Sequence, residues 1–327
     1  MTIRRNTVTR RTAVLALGSI AAAPAVAQAA YPSRPITIVV PFAPGGNLDI
    51  VSRLLVPPMS ATLGQSIIVE NKPGAGAVLG HQAVAQAAAD GYTVLCTSNG
   101  SFTFGPKFMP SSPFRTSDFR AIGSIAVSPM VVEVGAASRF HTITDLITYA
   151  KANPGQVSVG HAGNATTNHI AILQLEQATG IKFNIIPYKG GAPAISSLLA
   201  GEVDAVVDQL SSSSALIHDG KFRALAVTSG QRSSDLPDVP TLAESGLRGF
   251  DVSTIAGLLA PAKTPSAVIV TLNKALNAAL ETDAIKRRFH EFGSQPRRST
   301  PEEFSAFLLR EEAKADELVK SGLLKGI

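Results

Sequence analysis

One cysteine in 327 residues already narrows the chemistry available to this chain. Cys96 alone excludes an internal disulfide, a cysteine-built zinc site and a CxxC redox pair. Its setting, Tyr92-Thr93-Val94-Leu95-Cys96, reads as a buried strand where a small apolar thiol packs. Charge is scarce as well, 16% of residues against 45% apolar, which excludes disorder and points to a large core. No GxSxG elbow offers a hydrolase nucleophile. The six histidines, His81, His141, His161, His169, His218 and His290, form no metal-spaced pair. His161 and His169 flank a glycine turn, where they are expected to satisfy turn and core hydrogen bonds. After the first thirty residues no long apolar run occurs, and a soluble mature chain is expected.

The net charge of +5 is concentrated. Arg4, Arg5, Arg10 and Arg11 lie in the first thirty residues, which hold no Asp or Glu. Removing them leaves 25 basic against 24 acidic side chains, a net of +1, so charge gives no argument for a nucleic-acid partner. The basic stretch precedes an uncharged run, Thr12 to Ala30, that ends in small-residue cleavage signals around Ala25 to Ala29. This is the layout of a signal peptide over 1–29, cut near residues 27–30, and it predicts export to the periplasm. Thr9-Arg10-Arg11-Thr12 resembles a twin-arginine signal, so both general and twin-arginine export stand open.

About 298 residues remain, enough for two domains at roughly 100–200 residues each. β-branched runs alternate with helix-like segments, the pattern of α/β layers on a mainly parallel sheet. Strands are expected at 36–40, 66–70, 92–97, 157–159, 183–187, 203–207 and 224–228, and a crossing strand at 121–134. Helices are expected from a cap at Asn47 to a stop at Gly64, then at 78–89, 144–153, 167–179, 192–199, 265–281, 283–292 and 301–321. Pro57 and Pro58 should kink or split the first of these. Residues 229–247 read as a surface excursion, followed by an extended segment at 252–259.

Four strand-to-helix turns are rich in glycine. They are Phe42-Ala43-Pro44-Gly45-Gly46-Asn47, Pro73-Gly74-Ala75-Gly76, His161-Ala162-Gly163-Asn164-Ala165-Thr166 and Lys189-Gly190-Gly191-Ala192. Glycine lets backbone N–H groups approach a ligand at the positive end of a helix dipole. Open α/β sheets bind ligands at the carboxyl ends of their strands, where such turns collect. Tight turns are needed by the fold in any case, but four of them together favour a small-anion site built from backbone.

The same residues carry a resemblance. Pro41-Phe42-Ala43-Pro44-Gly45-Gly46-Asn47-Leu48-Asp49 resembles the PFxPGGxxD signature of the tripartite tricarboxylate transporter receptors, the Bug family. Val69-Glu70-Asn71-Lys72-Pro73-Gly74-Ala75-Gly76 is similar to their VENxPGAGG segment, with Ala77 where the family usually has glycine. Pro187 to Ala194 matches their PYKGxxPA turn, with Gly201-Glu202-Val203-Asp204 downstream, and Leu236 to Gly246 matches LPDVPTxxESG. The Pro57-Pro58 pair stands where relatives usually carry an uninterrupted helix.

The resemblance implies a two-domain periplasmic binding protein of type II, a Venus-flytrap α/β fold with two hinge-crossing strands. It places domain I at 30–127 with 256–327, and domain II at 128–255. It implies a monomeric receptor, neither an enzyme nor a cofactor protein, that captures a small carboxylate and delivers it to inner-membrane transporter subunits. Carried onto matching positions, the implied ligand residues are Phe42, Pro44, Gly45, Gly46, Asp49 and Gly76 from domain I. Domain II would add Gly163, Asn164, Thr166, Lys189, Gly190 and Asp208. Ser98 and Asn99, at the end of the third strand, read either as further cleft residues or as caps of a turn. The alternative is an exported dinucleotide-dependent oxidoreductase, because Gly74 to Gly80 reads GxGxxxG after a strand. Against it, no Asp or Glu closes a following strand about 20 residues on.

Overall fold

β-Branched residues restrict χ1 and favour extended backbone, and the runs rich in them become the strands. The computed structural model describes residues 1–2, 31–109 and 111–323. The expected signal peptide lies outside the described residues. The first half of the chain forms β1 (Ile36–Val40), α1 (Asn47–Leu63), β2 (Ile67–Asn71), α2 (Val78–Ala85), β3 (Thr93–Ser98), α3 (Asn99–Thr103), α4 (Gly105–Phe108), β4 (Phe119–Gly135) and α5 (Ile143–Ala152). Then follow β5 (Ser158–His161), α6 (Thr167–Thr179), β6 (Asn184–Pro187), α7 (Gly191–Leu199), β7 (Ala205–Gln209), α8 (Leu210–His218) and β8 (Phe222–Val227). The chain closes with β9 (Ser253–Pro261), α9 (Ser266–Glu281), α10 (Asp283–Glu291), β10 (Gln295–Pro296) and α11 (Pro301–Lys320).

The strands share one hydrogen-bonded path, β2-β1-β3-β9-β4-β7-β5-β6, with β8 and β10 also paired to β4. At one end β1 runs parallel to β2 and β3, in register Ile36 with Ile67 and Thr37 with Thr93. At the other end β5 runs parallel to β6 and β7. β4 joins the two. Its residues through Pro129 pair with β9, and from Met130 onward it pairs with β7 and β8. Each half keeps its own core. Val39, Leu95, Phe102, Phe114, Leu259 and Phe304 pack together in the first. Val132, Leu146, Val159, Leu175 and Val207 pack together in the second. Burying a side chain of this size contributes about 1.5–3 kcal/mol.

Four readings of the sequence are corrected. Gly46, with extended backbone, caps α1, while Asn47 is its first helical residue and turns its side chain inward. The proline pair does not split α1, which runs unbroken for 17 residues. Pro57 is exposed and Pro58 half-buried, so the carbonyls they leave without donors lie toward water, while Leu55 and Met59 anchor the opposite face. Helix α8 was not anticipated. Its Leu210-Ser211-Ser212-Ser213-Ser214 run has weak helix propensity, yet Leu210, Ser211, Ser213 and Ser214 are buried, so packing overrides propensity. The expected helix 78–89 stops at Ala85, where a tight turn leads toward β3.

Candidate functional site

The carboxyl ends of the parallel strands from both halves face each other, and the glycine turns follow those ends. The turn after β1 is tied down by Asp49. Its carboxylate accepts the Gly45 N–H (2.9 Å), the Arg53 Nε–H (2.9 Å) and the Asn71 Nδ2–H (3.0 Å). Burial would raise the Asp49 pKa, but these hydrogen bonds outweigh it and hold the carboxyl below its ordinary value. Asn71 also donates to the Phe42 carbonyl (3.0 Å), fixing the other arm of the turn. Across from it, the Lys189 carbonyl accepts the Ala43 N–H (3.0 Å), so backbone from the two halves meets directly.

Two adjoining chambers lie between these turns, with Phe42 and Ala162 in both walls. The inner one is about 20 Å³, room for a single water molecule by the usual criterion. Around it converge Gly46, Asn47 and Leu48 at the start of α1, Thr166 at the cap of α6 and Gly191 at the start of α7. Ser98, Asn168, Gln209 and Thr254 complete its polar wall. Three helix N-termini directed at one small space produce a positive potential without a cationic side chain. The Asn47 Nδ2 group is buried here and has no hydrogen-bond partner among the described residues.

The outer chamber is about 190 Å³. Residues 74–78, 162–165 and 187–189 frame it, with Phe42, Phe108 and Met109. His81 steadies its first wall. The ring accepts from Thr97 Oγ1 (2.8 Å) and donates to the Ala77 carbonyl (2.7 Å), and burial pushes its pKa down to about 4. That tautomer follows from the carbonyl, which can only accept. Ala77 keeps a left-handed φ of 84° although it carries a Cβ, so the substitution strains the turn without unfolding it. Gly76 has φ 61°, and a Cβ there would lie 2.7 Å from the Asn164 carbonyl oxygen. Any side chain would push the two turns apart.

His161 and His169 stack at 4.8 Å beneath the second wall. The Gly163 N–H donates to one ring and the Ala165 N–H to the other, each at 3.2 Å. Burial lowers their pKa values to about 3 and about 4, so both are neutral acceptors that shape the turn. Thr166 caps α6, and its Oγ1 donates to the Gly163 carbonyl (2.6 Å).

The structure therefore brings Phe42, Gly76, Gly163, Asn164 and Lys189 around the outer chamber, and Phe42, Gly46, Ser98 and Thr166 around the inner one. Pro44 and Gly45 sit exposed on their turn and line neither chamber, and Asp49 points back into that turn. Gly190 packs on the Ala43 N–H. Asn99 links elements instead. It donates to Glu311 (2.8 Å) and accepts from the Ile255 N–H (3.0 Å) and Thr167 Oγ1 (3.3 Å). Asp208 is fully buried behind the inner chamber, where Asn168 donates to it at 2.6 Å. Its other oxygen has no partner among the described residues, and burial raises its pKa to about 6.

A polar web was missed in the sequence. Asn47 Oδ1 accepts from Ser128 (3.0 Å) and Ser211 (2.8 Å), and Gln209 donates to Asn168 (3.0 Å) and Thr254 (2.8 Å). These residues are scattered along the chain, and only the run of polar residues at the end of β7 hinted at them.

The sequence profile described as "Tripartite tricarboxylate transporter family receptor" matches residues 51–323. The chain belongs to that receptor family. One relative, protein BugT of Bordetella pertussis, is 36% identical over 283 residues, covering 86% of this chain and 87% of BugT. Among solved structures, periplasmic binding protein BugD superposes with a TM-score of 0.87 at 36% identity, covering 91% of this receptor chain and all of BugD. MatC (Rpa3494) from Rhodopseudomonas palustris, solved with bound malate, superposes with a TM-score of 0.84 at 30% identity, covering 88% and 100%. The receptor thus has the two-domain type II periplasmic-binding-protein fold, and its structural neighbours are solute-binding proteins rather than enzymes.

Proposed function

We propose that this receptor works in the periplasm as a monomer, captures a small carboxylate between its two lobes and delivers it to a membrane transporter of the tripartite type. Domain I is taken as 30–127 with 256–327 and domain II as 128–255, a division consistent with the pairing switch of β4 after Pro129. The observation that carries the reading is the convergence of three helix N-termini on the inner chamber. The four arginines of the first thirty residues leave with the signal peptide, so the exported chain is nearly neutral. Its anion site must then rest on oriented backbone dipoles.

In this reading Gly46, Ser98 and Thr166 face the carboxylate, with Asn47 offering its free amide donor. A space this small serves one carboxylate oxygen or the water that bridges to it. Phe42, Gly76, Gly163, Asn164 and Lys189 surround the rest of the ligand. Pro44, Gly45, Asp49, Asn99, Gly190 and Asp208 hold the turns and lobes that form the site. The malate bound in MatC supports the same ligand class for this chain.

Mass spectrometry of ligand carried through purification, followed by thermal-shift screening against mono- and dicarboxylates, tests the proposal. At least one carboxylate should raise the melting temperature, as binding to the native state requires. Silence across all carboxylates, with stabilisation by NAD or a flavin, would refute it.

A further inference from the structure

Malate would use little of what the outer chamber offers. The chamber's lining side chains are mostly apolar, namely Phe42, Val78, Phe108, Met109, Pro187 and Tyr188. The Tyr188 hydroxyl is already committed to Ser197. Among the described residues no Asp, Glu, Arg or His lines the space, and its one charged residue, Lys189, is exposed. Apart from the half-buried Asn164, the lining side chains offer a second carboxylate no buried donor. The Gly163 and Ala165 N–H groups of the turn are already given to His161 and His169, so its hydration would be poorly replaced. Pairing with an exposed lysine would be screened by water and worth little. The volume matters as well. A dry apolar cavity of about 150 Å³ holds benzene, and this chamber is about 190 Å³. The polar inner chamber adjoins it and shares Phe42 and Ala162 in its wall, so a polar and an apolar space stand side by side.

We infer that this receptor's ligand is a monocarboxylate bearing a single ring-sized apolar body, with its carboxylate at the inner chamber and its ring in the outer one. The inference rests on the carboxylate-receptor reading above and narrows it. Phe42 stands in the wall shared by both chambers, where its ring can pack against the ligand's. Met109, half-buried at the chamber edge, adapts to the ring's outline. A ligand of this kind is held at one end by dipoles and at the other by apolar contact, which fits a site with no buried cation.

Isothermal titration of the mature chain with benzoate, cyclohexanecarboxylate, acetate, malate and adipate separates the outcomes. A ring acid should bind at least tenfold more tightly than acetate, malate or adipate. Malate or adipate binding more tightly than both ring acids would overturn the inference while leaving the carboxylate reading intact. Failure of all five would count against both. The seat of the ring is read in the wild-type chain by labelling the methionine methyl groups. The Met109 methyl resonance, assigned with Met109→Leu, should move on adding benzoate and stay still with acetate. Met109→Trp, which fills the chamber, should weaken the ring acids at least tenfold and acetate less than threefold. A Met109 methyl indifferent to bound benzoate would place the ring elsewhere and overturn the proposal.

Discussion

At the scale of single residues, the buried titratable groups oppose one another in their effect on stability. His81, His161 and His169 have folded pKa values lowered to about 4, about 3 and about 4 by burial. Below about pH 6.5 the unfolded chain binds their protons and the folded chain does not, so their contribution to stability is lost as pH falls. Asp208, raised to about 6, and Glu133, raised well above its ordinary value by burial, act in the opposite sense. Their folded forms hold protons that the unfolded chain has released, so they cost stability as pH rises through that window. Between about pH 4.5 and 6 the three histidines favour a rise of stability with pH, and the two carboxyls offset part of it. Each net proton is worth about 1.4 kcal/mol per pH unit. Above about pH 6.5 the unfolded chain also releases the histidine protons, and the rise ends. Asp208→Asn removes one opposing proton and should steepen the rise by about one proton. Urea unfolding at half-unit pH steps measures both slopes, and identical slopes in the two proteins would contradict the assignment to Asp208.

At the scale of elements, most of the fold was legible because each signal was local. Strand β1, the Gly64 stop of α1 and the Thr300-Pro301-Glu302-Glu303 start of α11 are each written in a few adjacent residues. What escaped was decided at a distance. Helix α8 forms because its serines are buried by packing, and Asn47 left the cap because Ser128 and Ser211 engage its side chain. The chambers followed the same division. Their glycine turns could be read from motifs, whereas Asn168, Gln209 and Thr254 enter only through tertiary hydrogen bonds. Helix α1 is the instructive case, since its prolines argue for a break and the structure keeps it whole. A proline inside a helix costs about 3 kcal/mol, and here the packing of Leu55 and Met59 must offset it. Pro57→Ala restores a donor for the Arg53 carbonyl on the exposed face. Allowing about 0.4–1 kcal/mol for the proline's effect on the unfolded chain, the variant should gain about 2–2.6 kcal/mol. A higher urea midpoint with unchanged slope would show it, and a loss of stability would mean that the proline fits the helix without strain.

At the scale of the whole molecule, the glycines bring the two lobes into contact as much as they serve a ligand. Gly100, in α3, shows this most sharply. A Cβ on it would lie 2.2 Å from the Thr167 backbone nitrogen and 2.4 Å from its Oγ1, at the first residue of α6. In the proposed division Gly100 belongs to domain I and Thr167 to domain II. The neighbouring Asn99 accepts a hydrogen bond from Thr167 across the same seam. Backbone against backbone cannot yield by a rotamer change, so Gly100→Ala must hold the lobes apart. The local helix would not suffer, because alanine is favoured over glycine in helices by about 0.8–1 kcal/mol. Any loss must therefore come from the seam. The variant should melt within a few degrees of the parent without ligand, yet bind its carboxylate at least tenfold more weakly. Small-angle scattering should show the parent contracting on ligand addition and the variant failing to contract. Wild-type affinity in Gly100→Ala would mean that the ligand is held by one lobe alone, and that the meeting of the two lobes is not part of binding.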